Sequence, residues 1–161
     1  MTGSTSKKVV VRRFERESVT VFVNLQTGFQ AGGVEVLSPG GTVVLLPYAD
    51  VKVVCFVRDF SSTGAETEPK LFHARPKMEG LWVRMHFRDG ELMDGLLANN
   101  LLELEPFGFT VVPPNPSSSN QKMFVPRDAL KEFQVLGVVG GPLRPRKAAK
   151  PVPKTQLEMF E

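Results

Sequence analysis

Cysteine is nearly absent from this 161-residue chain, with Cys55 standing alone. One thiol cannot form an internal disulfide, so a disulfide-stapled secreted scaffold is excluded and a reducing, cytoplasmic setting is expected. Its apolar neighbours Val54 and Phe56 mark Cys55 as a small buried hydrophobe. Histidine is scarce as well: His73 and His86 are far apart in sequence. His86 falls in a strand between Met85 and Phe87 and is expected to face solvent. No Cys/His spacing points to zinc, and no nucleophile–base set emerges, so neither metal, cofactor nor enzymatic activity is expected. "GGPLRP" and "SPGGTV" lack the Gly-x-x-x-x-Gly-Lys pattern of a phosphate loop. No apolar run approaches the roughly 20 residues of a membrane helix. The opening "MTGSTSKKVV" has no signal-peptide core, so no membrane partner is expected.

Net charge is also lacking over most of the chain. Residues 1–141 carry 15 Lys and Arg against 15 Asp and Glu. The formal +3 therefore resides entirely in residues 142–161, where Arg144, Arg146, Lys147, Lys150 and Lys154 face Glu158 and Glu161. A neutral body offers no net field for phosphates, which argues against a basic nucleic-acid surface.

What is abundant is turn-forming and strand-forming residues. The chain has 14 Gly and 13 Pro, the punctuation of many short strands. Val, Phe and Thr recur at strand spacing, and no segment longer than a turn shows helical periodicity. An internal repeat organises them. "VVVRRFERESVTVFV" (residues 9–23) sits over "WVRMHFRDGELMDGL" (82–96), each a strand, a charged turn and a strand. "VVLLPYADVKVVCFV" (43–57) sits over "KMFVPRDALKEFQVL" (122–136), aligning Pro47 with Pro126, Val51 with Leu130 and Lys52 with Lys131. In the second pair a proline opens a single helical turn between two strands.

The expected organisation is a flexible N-terminus (1–7), a first β-barrel repeat (8–58) and a linker loop (59–79). A second repeat (80–139) and a basic disordered tail (140–161) follow. Short strands with one apolar face bury it by closing into small barrels, and two such barrels are expected to pack together. Trp82 is expected to be buried between the copies or in the second core.

The second copy resembles an Sm-like domain, of the SH3-like barrel type. Asp89-Gly90, Gly95 and Asn99 or Asn100 match the turn, the bending glycine and the Asx turn of the first Sm motif. "KMFVPRDALKEFQVL" resembles the second, with Pro126-Arg127 where the family usually has Arg-Gly. The chain is also similar to an uncharacterised bacterial family of about this length, a likeness that implies nothing about function. The Sm resemblance implies an RNA-binding or oligomer-forming module, with Arg127 as a weak nucleotide contact. "RRFER" resembles the first half of the PilZ signature and marks Arg12, Arg13 and Arg16 as weak contacts for cyclic di-GMP. In the second half, "NLQTGF", Gln26 stands where serine belongs and Phe29 where glycine belongs. A solvated hairpin turn of alternating charge is the competing explanation for these arginines.

The last residues supply the leading functional reading. "GGPLRPRKAAKPVPK" (140–154) has four prolines and few apolar side chains, so it reads as a semi-extended linker. After it stand Gln156, Leu157, Met159 and Phe160. This pentapeptide resembles the bacterial sliding-clamp-binding motif Q-[LM]-x-[LM]-F. The resemblance implies that Gln156 enters a polar pocket while Leu157, Met159 and Phe160 fill a hydrophobic cleft of the clamp. The chain is thus expected to be a non-enzymatic adaptor that docks on a protein partner, the sliding clamp. Folding back of Leu157, Met159 and Phe160 onto the body is the competing use of the same peptide. Direct nucleic-acid binding and the oligomeric state stay open at this point.

Overall fold

Buried valines at every second position build the first hairpin. In the computed structural model, β1 (Ser6–Arg13) buries Val9 and Val11, and β2 (Arg16–Asn24) buries Val21 and Val23. Alternate side chains of a strand share a face, so this pattern makes one dry side. The remaining strands are β3 (Phe29–Gln30), β4 (Gly33–Leu37), β5 (Val43–Leu46), β6 (Val51–Val57), β7 (Gly80–Phe87), β8 (Leu92–Leu97), β9 (Gly108–Val112), β10 (Asn120–Pro126) and β11 (Leu130–Val139). The structure describes residues 6–58, 70–114 and 120–140. Gln156, Leu157, Met159 and Phe160 lie outside these residues, as do residues 59–69 of the linker loop and residues 115–119.

All eleven strands join one sheet, and the fold is all-β. The hydrogen-bonded order is β11-β7-β8-β9-β10-β6-β1-β2-β4-β3, with β5 on the other side of β4. All its pairings are antiparallel. On both sides of the β10–β6 junction the same order recurs. In each half the last strand flanks the first, followed by the second and third long strands and the strand before the last. Among the described residues no ladder joins β10 back to β11 or β5 back to β6. The sheet is therefore open as paired, rather than two closed barrels.

Each half contains a proline-led 3-10 turn, Tyr48–Asp50 after Pro47 and Arg127–Ala129 after Pro126. The two prolines have nearly the same backbone angles, φ −62° and ψ 144° against φ −64° and ψ 147°. Proline suits this place because its ring presets φ and the first residue of a turn needs no N–H donor.

Two hydrophobic clusters meet at β6. Val9, Val11, Val21, Val23, Val34, Val36, Tyr48, Val51, Val54, Phe56 and Phe124 form one. Val83, Met85, Phe87, Met93, Leu97, Val111, Met123, Val125 and Ala129 form the other, with Val53, Cys55 and Val57 from β6. All seven β6 residues are buried, because its two faces serve different cores. The near-continuous apolar run "VKVVCFV" is the sequence signature of a strand covered on both sides.

Trp82 departs from expectation. It is half-buried on the face of β7 opposite the core residues Val83 and Met85. The approach of residues 70–72 explains this. Phe72 packs edge-on against the indole at 6.1 Å, and Trp82 Nε1 donates to Asp94 Oδ2 at 3.2 Å. Strand alternation leaves Trp82 outside the core, and the chain leading into β7 covers it there.

Candidate functional site

Polar side chains at the junction hold the halves together. Lys52, the second residue of β6, is 7% exposed. Its ammonium binds Asp89 Oδ2 at 2.8 Å and also Glu91, which in turn binds Lys70. Burial pushes the Asp89 and Glu91 carboxyls up, but hydrogen bonds from Lys52, and from Lys70 at Glu91, outweigh it. Both lie below the ordinary carboxylate range. The Arg88 guanidinium stacks 4.0 Å from the Phe14 ring centre and donates to the Ala49 and Asp128 carbonyls, so it too spans both halves. Asp94, fully buried, accepts from Arg84 Nε at 2.7 Å, Arg84 Nη2 at 3.0 Å and the Phe72 N–H at 3.0 Å. Burial raises its affinity for a proton, and these donors more than reverse that. Such pairs are structural: each charge is spent on a neighbour within the chain.

The sequence-marked arginines are placed as follows. Arg12, Arg13 and Arg16 line one polar depression, together with Lys52, Glu15, Glu17 and Asp89. Four cations there face three anions, so the depression has little net charge for a dinucleotide. Arg127 is not part of it. Arg127 Nε donates to the Pro106 carbonyl at 3.2 Å and its guanidinium lies 4.7 Å from the Phe109 ring centre. Gly95 lies in β8, where an added Cβ would come within 2.8 Å of Val111 side-chain atoms. Asn100 caps the 3-10 turn Leu101–Glu103, accepting from the Leu102 N–H at 3.0 Å. His86 is bonded to Gln134 at 3.1 Å, and Cys55 is 1% exposed opposite Met123.

One concave feature was not legible in the sequence. A cavity of about 530 Å³ straddles the β10–β6 junction. Leu25, Phe29 and Phe56 form one wall, and Leu96, Leu97, Phe109 and Val111 form the opposite side. Its mouth carries Leu25, Met78 and Leu104, exposed by 45%, 42% and 44%. Leu101 and Leu102 are exposed on the adjoining turn. Exposed apolar side chains grouped around a hollow are the surface signature of a binding site. The rim charge is acidic: Glu79, Glu103 and Glu105 against Lys122. Thr110 Oγ1 donates to Glu105 at 2.6 Å, and Asn100 Nδ2 donates to Glu103 at 3.1 Å, so both carboxylates are held in place. The only local signal was "ANNLLELEP", a loop with three leucines in four residues spaced by one glutamate. Its meaning depends on Leu25 and Phe29 approaching from the other half.

The profile of one protein family matches residues 5–137. The chain belongs to DUF6982, a family of unknown function. The DUF6982 match takes in every strand up to most of β11 and both proline-led turns. It stops before the basic segment, so the terminal pentapeptide lies beyond it. No curated protein and no solved structure matches the chain.

Proposed function

We propose that this protein is a non-enzymatic adaptor that docks on the DNA sliding clamp through Gln156, Leu157, Met159 and Phe160. The observation that carries the reading is the match at all four informative positions of the clamp-binding peptide, placed after a basic, proline-rich segment. Chance yields such a pentapeptide in roughly one chain in a hundred at average residue frequencies. Two features of the body support a scaffold role. Lys52 joins the halves through Asp89 and Glu91, Asp94 is paired with Arg84 inside the second half, and the net charge over residues 1–141 is zero. The recurring strand order supports reading it as two Sm-like units in tandem. Three apolar side chains gain about 1.5–3 kcal/mol each on burial, less several kcal/mol for ordering the peptide. A contact of roughly micromolar strength follows. Purified full-length protein should bind purified clamp, and deletion of residues 155–161 should abolish that binding.

A second reading, an oligomer-forming module, is favoured by the sheet edges. Inside the chain, β6 of one half pairs with β10 of the other. By position in the halves, β11 is the counterpart of β6, and β5 the counterpart of β10. Both β5 and β11 are edge strands with exposed apolar residues: Val43, Val44 and Leu45 on one, Val135, Leu136 and Val138 on the other. The same joint can therefore repeat between chains, head to tail. Sedimentation velocity checks it: association should rise with concentration and be lost in Val44→Lys and Val135→Lys chains.

A further inference from the structure

We infer that the groove over the β10–β6 junction is the cis dock of this chain's own terminal peptide, so that the peptide is held against the body until a partner takes it. The inference rests on the clamp-peptide reading for its second address, but its structural basis is separate.

Three observations point to this occupant. The first is where the described chain ends. β11 finishes at Val139, paired with Gly80, and the Gly140 backbone lies directly against Met78 and Glu79. Both of those residues line the groove. The remaining 21 residues therefore begin at its rim. The second is length. From Gly140 to Gln156 is 16 residues, and a chain of that length spans roughly 20 Å as a coil and more where proline extends it. The groove is within reach without strain. The third is complementarity. The rim presents Glu79, Glu103 and Glu105, and the connecting segment carries Arg144, Arg146, Lys147, Lys150 and Lys154. The mouth presents Leu25, Met78 and Leu104, and the peptide carries Leu157, Met159 and Phe160. Apolar surface meets apolar surface, and opposite charges flank it.

Tethering makes even a weak contact effective. A short flexible linker gives a local concentration on the order of millimolar. A dock with an intrinsic dissociation constant of about 100 µM is then about nine-tenths filled. A competitor finds the peptide free in only a tenth of the molecules, so its apparent affinity falls about tenfold. The groove thereby sets how strong an outside site must be to capture the peptide.

Met78 supplies the probe. In full-length protein labelled with 13C at the methionine methyls, Phe160→Ala should shift the Met78 signal, through loss of the ring beside it. Met85 and Met93, in the core, should stay unmoved. Added peptide 150–161 should restore the Met78 signal in the Phe160→Ala chain. The shift should be independent of protein concentration; dependence on concentration would assign the groove to a second copy and overturn the cis dock. An unmoved Met78 would overturn it as well. The clamp reading is separated by titrating free peptide 150–161 into purified clamp. Its failure there leaves the Met78 result standing. If both hold, full-length protein should bind clamp about tenfold more weakly than the free peptide.

Discussion

Gly33 and Gly108 occupy the same place in the two halves. Each opens the strand that faces the proline-led turn, and each has its Cα pressed against the carbonyl just before the proline. A Cβ on Gly33 would lie 2.2 Å from Leu46 O, and one on Gly108 would lie 2.4 Å from Val125 O. Backbone cannot retreat from such a contact as a flexible side chain can. Gly33 has in addition φ +148°, which L residues rarely adopt.

Gly33→Ala and Gly108→Ala should each destabilise the fold by at least about 1–3 kcal/mol, the cost of overpacking a filled site. The Gly33 substitution should cost more, because strain adds to the clash. Ala at Gly41, where an added Cβ meets nothing, is the spatial control, and its φ of +97° isolates the backbone term. Thermal melts of the three variants check the order. Each kcal/mol should lower Tm by about 2–4 °C in a chain of this size.

Asp94→Ala removes a buried acceptor from Arg84, Trp82 and the Phe72 N–H together. The expected loss is about 3 kcal/mol, as for breaking a buried pair by removing one partner. The acid limb of the stability curve follows from the same site. The Asp94, Asp89 and Glu91 carboxyls are held below their ordinary range in the folded state. Their contribution is thus complete above the unfolded carboxylate range and is lost as pH falls through the lowered folded values. Denaturant melts from neutral to acid pH should show this decline, and Asp94→Ala should flatten part of it.

The chain has one tyrosine, one cysteine and one tryptophan, and each sits in a different place. Tyr48 is in the first core, Cys55 in the shared strand and Trp82 on the second half. Because β6 belongs to both cores, the halves should unfold as one unit. Tyr48 absorbance, Cys55 reactivity toward a thiol reagent and Trp82 emission should report one guanidinium midpoint. Separate midpoints would show that the halves are independent. Burial, with Glu105 nearby, pushes the Tyr48 hydroxyl up to about 12. Tyrosinate absorbance should therefore appear near that pH in native protein, and near 10 in denaturant.

Much of the local structure was legible in the sequence. The period-two valines of β1 and β2 gave strands, Asp89-Gly90 gave the hairpin turn, and Pro47 and Pro126 marked two short helical turns. What could not be read locally is pairing at a distance. Nothing near Cys55 says that Met123 will lie across from it, and that pairing makes β6 a strand shared by two cores. Trp82 was misplaced for a similar reason: its partners, Phe72 and Asp94, come from segments whose approach is set by tertiary structure. The groove is legible only after Leu25 and Phe29 meet the β8–β9 connection. The four peptide residues were singled out from sequence alone, and they lie outside the described residues.

Docking on the clamp is checked by calorimetric titration of peptide 150–161 into purified bacterial sliding clamp. A dissociation constant of micromolar order is expected. Leu157→Ala and Phe160→Ala should each weaken it by roughly tenfold or more, since each removes about 1.5–3 kcal/mol of burial. Gln156→Ala should weaken it by about 1 kcal/mol for each hydrogen bond lost, while Glu158→Ala should change little. Absence of heat at peptide concentrations of about 100 µM, or equal binding by the Phe160→Ala peptide, would rule out docking through this peptide.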